Sequence, residues 1–336
     1  KGANSVAGNT VLGESALDSG SLSGGNNTAI GKQALTALTS GSSNTSVGFD
    51  SLAATTTGSD NIGIGSKSLF TNSTGSNNVA IGVSALRNST GDDNTAIGRS
   101  ALFANTSGTS NVGLGKNVLA ANTTASNNTA VGNAALTANT TGTRNTAVGT
   151  NALDANTTGN DNIAIGVDTL GVNTTGQLNV AVGDFSLDAN TTGDANTAFG
   201  HGSLGANTTA NNNTAVGYHS LLSNTTGTEN VAVGTNALAN NTTASDNVAV
   251  GRGSLGTNTT GADNVAVGRS ALANNTTASN NTAVGKSALL VNTTGHSNVA
   301  VGTFALDANT TAQNNTAVGL SSLGANTTGT ANTGLG

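Results

Sequence analysis

The five residues Asn27-Thr28-Ala29-Ile30-Gly31 return at 44–48, 61–65 and 78–82, and from Asn94 they return every 17 residues until 332–336. With the opening copy at 9–13 there are 20 copies. The step is 18 once (Asn9 to Asn27), 16 once (Asn78 to Asn94) and 17 elsewhere. The full unit reads N-[TV]-A-[VI]-G-x-x-[AS]-L-x-A-N-T-T-[GA]-x-x, numbered here one to seventeen from its first Asn. A unit of this length is too short for a helical hairpin, a propeller blade or most leucine-rich repeats. It fits one turn of a parallel β-solenoid, with two or three short strands and tight corners. The Gly at position five, present in every copy, predicts a corner that needs positive φ or very close backbone approach. Gly, Asn, Thr and β-branched residues disfavour helix throughout. The expected fold is therefore all-β: a parallel β-solenoid, or β-roll, of about 20 coils. It is read as a single array over 1–336 with an irregular first coil at 1–26.

Strand parity then assigns an inward set. Positions two and four share a face, and nine, eleven and thirteen alternate in the same way. The predicted core includes Val182, Val233 and Val284 at position four and Leu187, Leu238 and Leu289 at position nine. Charge supports a fixed register. Acidic residues fall only at positions six, seven, ten, sixteen and seventeen (Asp184, Asp168, Asp154, Asp194, Asp263), and basic residues after Lys1 obey the same rule. Five positions thus face water, where substitution is nearly free.

Composition excludes whole classes of function. Of 336 residues 47 are Gly, while aromatics make up 2% and charged residues 8%. The chain has no Cys, which removes disulfides, thiolate metal sites and cysteine nucleophiles together. A net charge of −6 argues against a nucleic-acid partner held through phosphates. No apolar run approaches the ~18 residues of a membrane span. The low charge invites a disordered reading, which the periodicity defeats.

Only two or three large apolar side chains per coil point inward in this reading, a thin core for one chain. Meanwhile position three is Ala or smaller in most coils, and position eight is usually Ala or Ser. By parity both face outward, and small residues kept on an outer face suggest that another surface packs there. Ala181, Ala232 and Ala249 are the candidate interface of a homo-oligomer, most simply three solenoids side by side. The alternative is that these small residues only relieve crowding at corners.

N-[TV]-A-[VI]-G-x-x-[AS]-L resembles the head repeats of trimeric autotransporter adhesins, and Asn4-Ser5-Val6-Ala7-Gly8 and Asn44-Thr45-Ser46-Val47-Gly48 come close to their wording. The resemblance implies a left-handed parallel β-roll, trimeric on a bacterial surface, binding host matrix or other surfaces. The family's repeat is shorter and lacks the N-T-T-G insertion. The longer form is similar to tail-fibre-like arrays of bacteria and phages. Both resemblances are specific for architecture and weak for ligand.

Catalytic chemistry is not legible. His201, His219 and His296 lie at variable positions in three coils, without a carboxylate cluster or Cys beside them, and are read as solvated surface. Asp92-Asp93, the acidic pair of the 16-residue coil, lacks the G-G-x-G-x-D repeat of calcium-binding solenoids. G-x-G fragments such as Gly63-Ile64-Gly65 have no following helix and are read as corners. The N-T-T corner, as in Asn173-Thr174-Thr175 and Asn258-Thr259-Thr260, carries three readings. These are a hydrogen-bonded Asn and Thr ladder, an outward Thr array that orders ice, and a glycan acceptor. The overall expectation is a non-enzymatic extracellular or cell-surface fibre or adhesin shaft, without cofactor or metal. Its expected partners are copies of itself, a surface or host-matrix ligand, and glycans. The alternatives are a phage tail-fibre shaft and an ice-binding protein. Twenty coils at about 4.8 Å give a rod of roughly 95 Å, and its uncapped ends predict a segment of a longer fibre.

Overall fold

The computed structural model describes residues 6–336 and forms two compact units, Lys1–Ile165 and Gly166–Gly336. The first carries ten three-residue strands, β1 (Thr10–Leu12) to β10 (Ile163–Ile165), and each pairs in parallel with the next. The second carries β11 (Val180–Val182) to β20 (Thr333–Leu335), paired in the same way. No helix occurs among the described residues. Each unit is thus a parallel β-solenoid in which equivalent positions of successive coils stand in register, as Val231 does with Val248. The 16-residue coil keeps that register, with Val79 opposite Thr95.

Each coil contributes one strand, at positions two to four, and not the two or three expected. Turns and bends fill the remainder. Backbone hydrogen bonds still run along the axis there: the Leu52, Ala54 and Thr56 amides donate to the Ser68, Phe70 and Ser73 carbonyls of the next coil at 2.9, 3.2 and 2.9 Å. The ladder therefore continues around the coil without strand dihedrals.

The expected parity is corrected by the packing. Position three faces inward, and positions two and four face outward. Ala181, Ala232 and Ala249 have no exposed surface, so they line the coil's interior and offer nothing to a second chain. Leu187, Leu238 and Leu289 are wholly buried, whereas Val182 and Val233 are half-buried and Val284 is exposed. The reason is the narrowness of the coil. A Cβ built on Gly63, at position three, would stand 2.7 Å from Ser51 Oγ and 3.1 Å from Leu52 Cδ1, at positions eight and nine of the preceding coil. A β-branched side chain has no room there, and every coil after the first, which carries Val11, has Gly, Ala or Ser at this position. Small residues at three and eight are the core itself.

Leucine at position nine fills that core by leaving the extended region. Positions eight and nine are both buried, which a strand cannot achieve with consecutive residues. The chain resolves this with a left-handed residue: Leu52, Leu187 and Leu238 have φ of 51°, 52° and 52°. Such a conformation costs a β-carbon residue about 1–2 kcal/mol. The position-five corner is sterically closed as well as left-handed. Gly31 has φ 131°, and a Cβ there would lie 2.5 Å from the Gly48 carbonyl oxygen.

Two asparagine ladders complete the interior. At position one, the Asn44 amide N–H donates to Asn27 Oδ1 at 2.9 Å, and Asn44 Nδ2 donates to the Gly58 carbonyl at 2.9 Å. At position twelve, Asn122 Nδ2 donates to Asn105 Oδ1 at 2.9 Å and to the Ala125 carbonyl at 3.0 Å. These side chains are fully buried and bridge successive coils. Each such bond contributes roughly 1 kcal/mol net, and an unpaired amide there would cost more. The thin apolar core is thus supplemented by a polar one.

Candidate functional site

The N-T-T corner is structural at its first two residues. Asn173 and Asn258 are fully buried. Asn173 Nδ2 donates to the Gly176 carbonyl at 3.0 Å, and Asn258 Nδ2 donates to Asn241 Oδ1 at 3.1 Å and to the Gly261 carbonyl at 2.9 Å. A folded coil therefore presents neither amide to a glycan-transferring enzyme. Thr174 and Thr259 are half-buried, and their hydroxyls donate to the Thr191 and Thr276 carbonyls at 3.1 and 2.9 Å. Thr175 and Thr260 are exposed, so the outward rank at this corner is a single file at a bend.

The outward strand face has a different character. Positions two and four carry Thr, Val, Ile, Leu or Phe in every coil and never a charge. Ile62, Ile64, Ile163 and Ile165 of the first unit and Val267, Val284, Val299 and Val318 of the second are exposed. Each unit therefore displays a continuous apolar and threonine stripe one strand wide, bordered by the charged positions.

Against this regularity one place stands out, within the second unit. Positions six and seven of the coils beginning at Asn179, Asn196 and Asn213 carry Phe185, His201, Tyr218 and His219. The 17-residue register stacks them. The His201 ring centroid lies 5.7 Å from those of Phe185, Tyr218 and His219, edge-on to the first and near-parallel to the second, and Tyr218 stacks on His219 at 3.8 Å. Beside them opens a surface groove of about 430 Å³, walled by Phe185, His201, His219, Asp188 and Leu222. Its floor exists because two outward positions lack side chains. A Cβ on Gly202 would stand 2.8 Å from His219 Cδ2, and one on Gly205 would stand 3.2 Å from Leu222 Cδ1 and 3.4 Å from Asp188 Oδ1. Asp188 is half-buried, and that burial, with the charge of Asp168 adding to it, raises its carboxyl above the usual carboxylate range.

Sequence reading treated the three histidines as isolated. His201 and His219 are 18 residues apart, one coil and one position, so the repeat length was the signal that brings them together. His296 stands apart from them, its Nδ1 3.2 Å from Ser297 Oγ. No group of three His, Cys, Asp or Glu residues among the described residues is arranged to hold a metal ion.

The irregular coil, 78–93, keeps the bonding of its neighbours at the corner. Thr90 keeps the bonding of position thirteen, its amide and Oγ1 both donating to the Thr106 carbonyl at 2.7 and 3.0 Å. Ser89 keeps position twelve, accepting from Asn105 Nδ2 at 3.0 Å. The missing residue is therefore the exposed one at position fourteen. The charged side chains of this coil make other contacts. Arg87 lies over the Phe70 and Phe103 rings at 5.7 and 5.6 Å, and Asp92 Oδ1 accepts from the Ser76 amide at 2.7 Å.

No family model and no curated protein matches the chain. No described helix is long and apolar enough to cross a membrane.

Proposed function

We propose that the chain is a non-enzymatic structural shaft of an extracellular fibre, and that its copies associate through the outward strand face, three to a fibre. The observation that carries this reading is the uncharged Val, Ile and Thr stripe at positions two and four. The neighbouring outward positions accept Asp, Glu, Lys and Arg freely, whereas these two accept none. A face held apolar coil after coil is one that another surface covers. The interior supports the same reading, because it is uniform and filled by Ala, Leu and hydrogen-bonded Asn. Adhesin and tail-fibre shafts share these requirements.

The decisive measurement is sedimentation equilibrium on charge variants. Val248→Lys with Val265→Lys places two charges on the stripe without touching the core, and is expected to convert the oligomer into folded monomers. Thr243→Lys with Thr260→Lys, at the exposed corner, is expected to leave it assembled. Equal masses for both variants and the parent would reject self-association through this face.

A second reading uses the same face differently. Ranks of Thr and Val repeating at one strand spacing form a flat, regular surface of the kind that can order water into ice. A face buried in an oligomer cannot also meet ice. A monomeric parent chain that shows thermal hysteresis would replace the shaft reading with this one.

A further inference from the structure

We propose that the groove beside the His201–His219 stack binds an organic cation: an ammonium or guanidinium head, carried by a small amine or by a lysine or arginine side chain. This goes beyond the shaft reading and does not depend on it, because the groove lies at positions six, seven and ten, away from the strand face.

The first argument compares ring clusters within the chain. Three outward rings elsewhere, those of Phe70, Phe103 and Phe304, have a cation of the chain's own over them, whereas the single exposed rings of Phe49 and Phe199 have none. Lys67 lies 5.7 Å from the Phe70 ring, Arg87 bridges Phe70 and Phe103, and Lys286 lies 5.3 Å from Phe304. Such a cation is attracted by the negative ring face. The Phe185 cluster has no such partner to draw on, because no Lys or Arg occurs between residues 145 and 251.

The second argument is the carboxylate. Asp188 Oδ1 faces the space left by Gly205, and Asp188 forms no ion pair among the described residues. Burial and a neighbouring acid both work against its charge, which a bound cation would relieve. Third, the coils that carry the groove and their neighbours hold acids and no Lys or Arg. Asp168, Asp184, Asp188, Asp194, Glu229 and Asp246 fall within 166–251 of the second unit, and such a field raises the local concentration of cations. The His201 and His219 rings beside the groove offer further π faces to a cation. A neutral sugar ring could stack on Phe185 but would gain nothing from the surplus of acids.

The test is ligand titration of the full chain, followed by NMR of the Phe185, Tyr218, His201 and His219 ring protons. Tetramethylammonium, N-acetyl-lysine amide and N-acetyl-arginine amide are compared with two neutral probes, tert-butanol and methyl glucoside. Saturable shifts are expected with the cations, and at least about tenfold weaker binding of both neutral compounds. Asp188→Asn is expected to weaken cation binding about fivefold or more. Gly205→Leu, which fills the floor at a half-buried position, is expected to abolish it with the far-UV spectrum unchanged. Stronger binding of the amino-acid derivatives would assign the site to a protein side chain, and stronger binding of tetramethylammonium to a free quaternary amine. Neutral probes that bind as well as the cations, or cation binding that survives both substitutions, would overturn the proposal.

Discussion

Position twelve shows how one residue type serves the whole coil. Asn there donates up the ladder and across its own turn, as Asn72 does to the Gly75 carbonyl at 2.9 Å. In the coil from Asn44 this position is Thr55, fully buried, and its hydroxyl has no hydrogen-bond partner. An unsatisfied buried hydroxyl costs about 1–3 kcal/mol. Thr55→Asn would place an amide where it can reach the Gly58 carbonyl and the neighbouring Asn72. This substitution should raise unfolding free energy by about 1 kcal/mol, read from the denaturant midpoint at constant m. A lower midpoint would mean that the Asn ladder is not what stabilises this corner. Left-handed residues explain a second preference. Position seventeen has φ near 60° in coil after coil, and Asn and Asp, which tolerate that region best, predominate there, as at Asp60, Asn77 and Asp246.

At the scale of the coil, the repeat length, the Gly corner, the absence of helix and the water-facing positions were all legible in the sequence. Which side of the strand faces inward was not. Parity arguments need a strand long enough to alternate, and here the strand is three residues long and ends at a glycine. Beyond it, the left-handed Leu238 resets the alternation, so counting from Val231 through to Leu238 carries no information about facing. The signal that would have corrected it is the adjacent small-Leu pair at eight and nine, two invariably apolar or small neighbours that no strand can bury together. The short coil at 78–93 was located by spacing but not resolved, because deletion at any of several positions leaves the same count; only the bonding of Ser89 and Thr90 places the gap at fourteen. Since that position is exposed in full-length coils, inserting Thr between Thr90 and Gly91 should change unfolding free energy by less than about 0.5 kcal/mol. An insertion between Leu86 and Arg87 should instead shift the chain that supplies the Thr71 and Leu86 ladder bonds, and cost about 2 kcal/mol or more. Equal melting curves for the two insertions would place the missing residue elsewhere.

Across the whole chain, ionisable groups are kept out of the interior: among the described residues no Asp, Glu, His, Lys or Arg is buried. Acid denaturation ordinarily arises from carboxylates that are paired or hydrogen-bonded in the folded state and must be protonated. Here only two carboxylates are clearly displaced, and in opposite directions. The hydrogen bonds from Arg144, at 2.6 and 2.7 Å, lower Asp161, so its contribution is present above the unfolded value of about 3.9 and is lost as pH falls through the lower folded value. That pair is solvent-exposed, and its effect on stability is correspondingly small. Asp188 is raised, mainly by burial, so its effect has the other sign: stability is greatest below about pH 3.9 and declines as pH rises toward the folded value. The two trends offset, and the remaining charges lie at outward positions. The expectation is that the far-UV spectrum at pH ~2 matches that at pH ~7, with thermal midpoints within a few degrees. Asp188→Asn should raise the midpoint at neutral pH and leave it unchanged at pH ~2, where the native side chain is already uncharged. Cooperative unfolding between pH ~5 and ~2 in the parent chain would contradict a core built from uncharged residues alone. A neutral-pH midpoint unaffected by Asp188→Asn would mean that this carboxylate is better solvated than its place beside the groove implies.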